Sequence, residues 1–252
     1  MSSDFEKYAA NLQLEMLFHK LGAPNPEILA NTVRHFTTKE AEKRDAIVTG
    51  YFGKSGINRI VEVVTDCLFE IPGLPASAKI LDIGAGTGFF TTRIAKRVRA
   101  KNPEASFYAM DLTPAMLLQL ARKNTSVTAF VGVAENIRDS VKYAAEYFEI
   151  PSKFDAIFST LMLHHNNQPE RVFGSIKGSL KKSGKAMVVD LCEHDFEKFR
   201  IEMGDIHLGF KPEKVYEMAR KHFAKVRVEK MPGISCECSG RAAEILVASM
   251  RN

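Results

Sequence analysis

The string Asp82-Ile83-Gly84-Ala85-Gly86-Thr87-Gly88 constrains this chain more than any other stretch. An apolar run, Ile80-Leu81, leads into it, and a helical repeat with Phe90, Ile94 and Val98 four residues apart leads out of it. The order is strand, tight turn, helix. Glycine suits such a turn because it accepts positive φ and leaves bare backbone for a ligand to approach. Asp82 adds a carboxylate at the strand end. In open α/β sheets, ligands bind beyond the carboxyl ends of the strands, where the strand order switches. The dinucleotide fingerprint is G-x-G-x-x-G. Here the third glycine arrives one residue early, which counts against a nicotinamide-dependent oxidoreductase.

The rest of the pattern alternates in the same way. Residues 105–111 predict a second strand ending in Asp111, and Thr113-Pro114 predicts an N-cap and first helical residue after it. An acid at that strand end suits the two vicinal hydroxyls of a ribose. Residues 127–135 predict the third strand, 154–160 the fourth and 184–190 the fifth. Segments 226–228 and 245–248 predict a final antiparallel pair, with Cys236 and Cys238 in the hairpin between them.

D-x-G-x-G-x-G with a second acid at Asp111 resembles the nucleotide-binding motif of class I S-adenosylmethionine-dependent methyltransferases. The resemblance covers about residues 55–250 and is strongest at 79–90. It implies a doubly wound α/β fold, with a seven-stranded, mostly parallel sheet in the order 3-2-1-4-5-7-6 and the last strand antiparallel. It implies S-adenosyl-L-methionine as cofactor and S-adenosyl-L-homocysteine as product. The residues it assigns to the cofactor are Asp82, Gly84, Ala85, Gly86, Gly88, Asp111, Leu112, Met116, Ala134, Glu135 and Thr160.

The exit of the fourth strand bears on the acceptor. Methyltransferases acting on nucleobase amines carry [DN]-P-P-[YF] there, and Ser159-Thr160-Leu161-Met162 does not match. Leu163-His164-His165 resembles the small-molecule branch instead. Two later strings, around His194-Asp195 and Asp205-Ile206-His207-Leu208-Gly209-Phe210, resemble a subgroup of that branch. Four of the seven histidines fall within 164–207, near the expected acceptor pocket. His164 and His165 are the candidate catalytic residues, as a base or as metal ligands, with helix entry as their structural alternative. Tyr51, His194 and His207 are candidate pocket residues.

The preceding 75 residues read as mostly helical: 4–20, 26–36, 39–48 and 57–70, with a flexible loop at 51–56. The expected division is a helical cap over 1–75 and a cofactor-binding domain over 76–252. The formal charge of +5 is interspersed. The cations Lys96, Arg97, Arg99 and Lys101 sit where a helix end favours them, so nucleic acid is not an expected partner. Charges throughout residues 1–20 argue against a secretory leader, and no apolar run approaches the ~20 residues of a membrane span. A cytoplasmic monomer or homodimer acting on a small-molecule acceptor is expected. Cys236-Glu237-Cys238 lacks C-x-x-C spacing, and no metal is expected. The rival readings are an RNA or protein methyltransferase of the same fold, and a cofactor-binding module without turnover.

Overall fold

The structure is a computed structural model that describes residues 2–23, 26, 29, 33, 38–70, 73–123 and 125–252. Its seven strands are β1 (Lys79–Ile83), β2 (Ser106–Asp111), β3 (Val127–Val131), β4 (Phe154–Thr160), β5 (Leu180–Leu191), β6 (Lys225–Cys238) and β7 (Arg241–Arg251). They form one sheet in the order β3-β2-β1-β4-β5-β7-β6. The pairs β1–β2, β2–β3, β1–β4 and β4–β5 are parallel, and β7 runs antiparallel to both β5 and β6. This is the expected fold class.

Ile80, Leu81 and Ile83 are fully buried, because parallel strands are covered by helices on both faces. Those helices include α4 (Phe89–Arg99), α5 (Pro114–Arg122), α6 (Ile137–Ala144), α7 (Pro169–Ser179) and α9 (Pro212–Arg220), with short α8 (Lys198–Met203) after β5. Phe90, Ile94 and Val98 form the buried stripe of α4, as their spacing predicts. The strand order reverses between β2 and β4 on either side of β1, so the glycine turn after β1 opens into the crevice at that switch point.

The N-terminal region departs from its sequence reading. Residues 4–20 divide into α1 (Ser2–Ala10) and α2 (Leu14–Lys20). The helix expected over 26–36 lies outside the described residues, apart from 26, 29 and 33. The flexible loop expected at 51–56 is helical. It belongs to α3 (Thr38–Phe69), which breaks only at Gly53, with φ 58° and ψ 174°. Positive φ at one glycine absorbs the kink, and the flanking residues stay helical. Phe52, buried beside the break, meets the Phe90 ring edge-on at 6.5 Å between centroids.

Lys185 of β5 ties α3 to the sheet. Its buried Nζ donates to the Leu68 and Glu70 carbonyls at 3.1 and 2.6 Å. A cation there satisfies carbonyl oxygens that a helix end leaves unpaired. The last two strands are much longer than expected. Cys236 and Cys238 therefore lie within β6, both buried, and the turn is only Ser239-Gly240, with φ of 51° and 76°. Two positive φ values in a two-residue loop match the twist of a hairpin.

Candidate active site

The turn after β1 is built by close approach. Gly84, Gly86 and Gly88 all take positive φ. A Cβ on Gly84 would lie 2.1 Å from Met162 Cγ, and one on Gly88 would lie 2.3 Å from Leu120 Cδ1. Gly86 differs: no atom lies within 4 Å of where its Cβ would be. Two glycines thus admit neighbouring side chains, and the middle one faces open space.

That space is a cavity with about 1060 Å³ free of atoms, part of it open to solvent. Ligand sites of roughly 300–1,000 Å³ hold drug-sized molecules. Gly84, Ala85, Gly86, Asp111, Leu112, Met116, Ala134, Glu135, Thr160 and His165 all line it. Asp82, Gly88 and His164 stand behind this wall. Tyr51, His194 and His207 are not among the lining residues. The sequence reading missed Arg44 and Val48 of α3, together with Leu161, Met162 and Asn166 at the β4 exit. A lone arginine in a helix carries no motif, so no sequence signal pointed to Arg44.

Asp111 Oδ2 accepts a hydrogen bond from Gly86 N at 2.8 Å, and Oδ1 accepts one from Thr113 N at 2.8 Å. The second acid thus clamps the glycine turn of the first strand. Burial raises the pKa of Asp111, against those backbone donors. Asp82 Oδ2 accepts from Thr91 Oγ1 at 2.5 Å, while its buried Oδ1 has no hydrogen-bond partner. Burial holds its carboxyl well above the ordinary range, helped by the negative charge of Asp111. Burial also raises the pKa of Glu135.

The fourth strand leaves the sheet through strained backbone. Leu161 takes φ 58°, a left-handed conformation uncommon for a branched side chain, while its N–H bonds the Val189 carbonyl at 2.8 Å. A short helical turn then carries His164 and His165. Buried His164 has Nδ1 2.7 Å from Asp190 Oδ1 and Nε2 3.5 Å from Asp205 Oδ1. Burial lowers the His164 pKa, but the charges of Asp190 and Asp205 overcome this and leave it raised. Burial lifts Asp205 to about 6, against the attraction of His164.

The other candidates sit farther out. His194 Nδ1 accepts from Phe196 N at 3.2 Å, and its ring lies against Phe196 and Phe199. His207 Nε2 lies 2.9 Å from the Asn166 carbonyl. Tyr51 is half-buried, and burial pushes its hydroxyl up to about 12. Both histidines anchor loops beside the site.

The family model for methyltransferase domains matches residues 75–231, which is more than half of the sequence. The chain belongs to the methyltransferase-domain family. It is similar to the hybrid PKS-NRPS synthetase apdA of Emericella nidulans, at 26% identity over 208 residues. That match covers 80% of this chain and 5% of the synthetase, so the chain spans only a small part of that relative. The mitochondrial ubiquinone biosynthesis O-methyltransferase of Schizosaccharomyces pombe is 31% identical over 111 residues, covering 44% of this chain and 36% of that protein. Among solved structures, Haemonchus contortus phosphoethanolamine N-methyltransferase 2, bound to phosphomonomethylethanolamine and S-adenosylhomocysteine, superimposes with a TM-score of 0.62 at 17% identity. It covers 86% of this chain and 58% of its own. The class I methyltransferase fold is common to both.

Proposed function

We propose that the chain transfers a methyl group from S-adenosyl-L-methionine to a small-molecule acceptor that gives up a proton. One observation carries this reading: a single cavity joins the glycine turn, Asp111 and Glu135 to the β4 exit with His165. The cofactor fits on one further ground: Gly86 leaves uncontested space above the turn. In this reading Asp111 accepts from the ribose hydroxyls with the lone pairs its two backbone bonds leave over. Glu135 accepts from the adenine amine, Leu112 and Met116 flank the base, and Thr160 borders the methionine end.

Bound there, the cofactor supplies a methyl group on a sulfonium whose leaving group is neutral, so orientation is the main demand on the protein. Asp111 and the glycine turn fix one end of the donor. The β4 exit, held by Leu161 and by Met162 over Gly84, fixes the wall the acceptor must lie against. His164 and His165 form the acceptor-activating side, and Asp190 orients the His164 ring. Residues 1–75 act as a cap, supported by Leu29, Arg44 and Val48 in the cavity wall. All four cysteines are unpaired, which suits a reducing compartment such as the cytoplasm.

The test is a methyl-transfer assay with labelled cofactor and a panel of phenols, enolisable carbonyl compounds and amines. Label should appear in an extractable small molecule. Label confined to added RNA or protein would overturn the acceptor class.

A further inference from the structure

Asp205 is the anomaly of this structure. Its side chain is fully buried, yet neither carboxylate oxygen has a hydrogen-bond partner. Such a group is costly unless something pairs with it. His164 faces it with a buried Nε2 that also lacks a hydrogen-bond partner, 3.5 Å from Oδ1. His165 Nδ1 lies 3.9 Å from the same oxygen and donates to the Gly204 carbonyl at 3.3 Å, which leaves the buried Nε2 as the ring nitrogen with a lone pair to offer. One ligating atom from each of the three residues lies within 4.8 Å of the others.

The far side of His164 is fixed. Its Nδ1 meets Asp190 Oδ1 at 2.7 Å, and Asp190 is held by the amides of Leu163 and Leu191, each at 2.8 Å. A carboxylate at Nδ1 keeps the proton there and turns the Nε2 lone pair toward Asp205. Carboxylate–histidine–metal triads are built this way. The 3.5 Å gap is long for a hydrogen bond. It is close to the roughly 3.4 Å that separates two ligands, each about 2.0–2.1 Å from one tetrahedral ion.

We propose that His164, His165 and Asp205 bind one divalent transition-metal ion, with zinc as its representative. Two imidazoles and one carboxylate suit such an ion and disfavour magnesium or calcium, which prefer oxygen. This departs from the expectation that the chain holds no metal. Arg44 and Arg200 act electrostatically on Asp205 and oppose a cation, so the ion binds more weakly than in a closed structural zinc site. With three protein ligands one position stays open, and His165 lies in the cavity wall. An acceptor oxygen taken there loses its proton more readily, as metal-bound water does. That role rests on the methyl-transfer reading, but binding of the ion does not.

The experiment strips the full chain with chelator and titrates it with cobalt(II), then displaces the cobalt with zinc. One equivalent should bind, with the intense visible bands of a four-coordinate site, and zinc should abolish them. Asp205→Asn and His165→Ala should each weaken cobalt binding more than tenfold, and Asp190→Asn by about 10–100-fold through the ring it orients. Parent protein without four-coordinate bands overturns the proposal, and leaves His164 as a cation between two carboxylates. Bands that persist in both Asp205→Asn and His165→Ala also overturn it, since the metal then sits on other residues. S-adenosylhomocysteine binding is measured on the same samples. Loss of that binding in the parent would undo the methyltransferase reading, while intact binding without cobalt bands would undo the metal site alone.

Discussion

Asp111 Oδ2 lies 2.8 Å from the amide nitrogen of Gly86, so the acid at the end of β2 braces the turn at the end of β1. One carboxylate shapes the glycine turn and, in the proposed reading, also accepts from the cofactor. Removing it costs both.

Asp111→Ala should weaken S-adenosylhomocysteine by about 2–4 kcal/mol, from lost charged acceptors and a loosened turn. Asp111→Asn keeps an acceptor for one amide and should lose less. Calorimetry on the two variants checks the order; equal affinity in Asp111→Ala and parent would contradict it.

Gly84→Ala and Gly86→Ala should fail differently. At Gly84 the new methyl collides with Met162, so the fold should lose stability, and Met162→Ala should recover part of it. At Gly86 the methyl meets nothing, so melting should change by only the ~1 kcal/mol cost of positive φ. Cofactor affinity should nevertheless fall, since the methyl enters the cavity. Melting and binding curves on both variants and the Gly84→Ala/Met162→Ala pair separate the two effects.

These two glycines mark how far the sequence could be read. The D-x-G-x-G-x-G string located the turn, the switch point and the partner acid. The strand order follows from the family resemblance that this string carries, and the sheet has that order. The string did not reveal that Gly84 makes way for Met162, because that contact joins residues 78 positions apart. In the sequence Asp205 is one residue of the string 205–210, and its position opposite His164 depends on how the loop after β5 folds back. Tyr51 to Gly56 read as a loop because glycine and aromatics dominate it, whereas packing of Phe52 on Phe90 holds it helical.

Cofactor affinity should fall on acidification. Burial raises the folded-state pKa of Asp111 above its unfolded value. The stabilisation linked to its protonated form is present below the unfolded pKa and is lost as pH rises through the folded one. The ribose needs the ionised acid, so below the folded pKa binding should weaken towards tenfold per pH unit. Apoprotein stability and cofactor affinity should thus respond to this group in opposite directions. Calorimetry and melting from pH 8 to pH 4.5 test the sign.

Lys185→Met should destabilise the protein by about 2 kcal/mol, because the last carbonyls of α3 lose a buried charged donor. The raised unfolding rate should appear first at α3, read by amide exchange at residues 60–69. Unchanged exchange there would show that the end of α3 is held by other contacts.

Calorimetric titration of the purified chain with S-adenosylhomocysteine tests the central claim most directly. Saturable binding with one site per chain, in the micromolar range and lost in Asp111→Ala, is the result predicted here. Absence of heat at high ligand concentration, with saturable binding of a nicotinamide dinucleotide to the same sample, would contradict it.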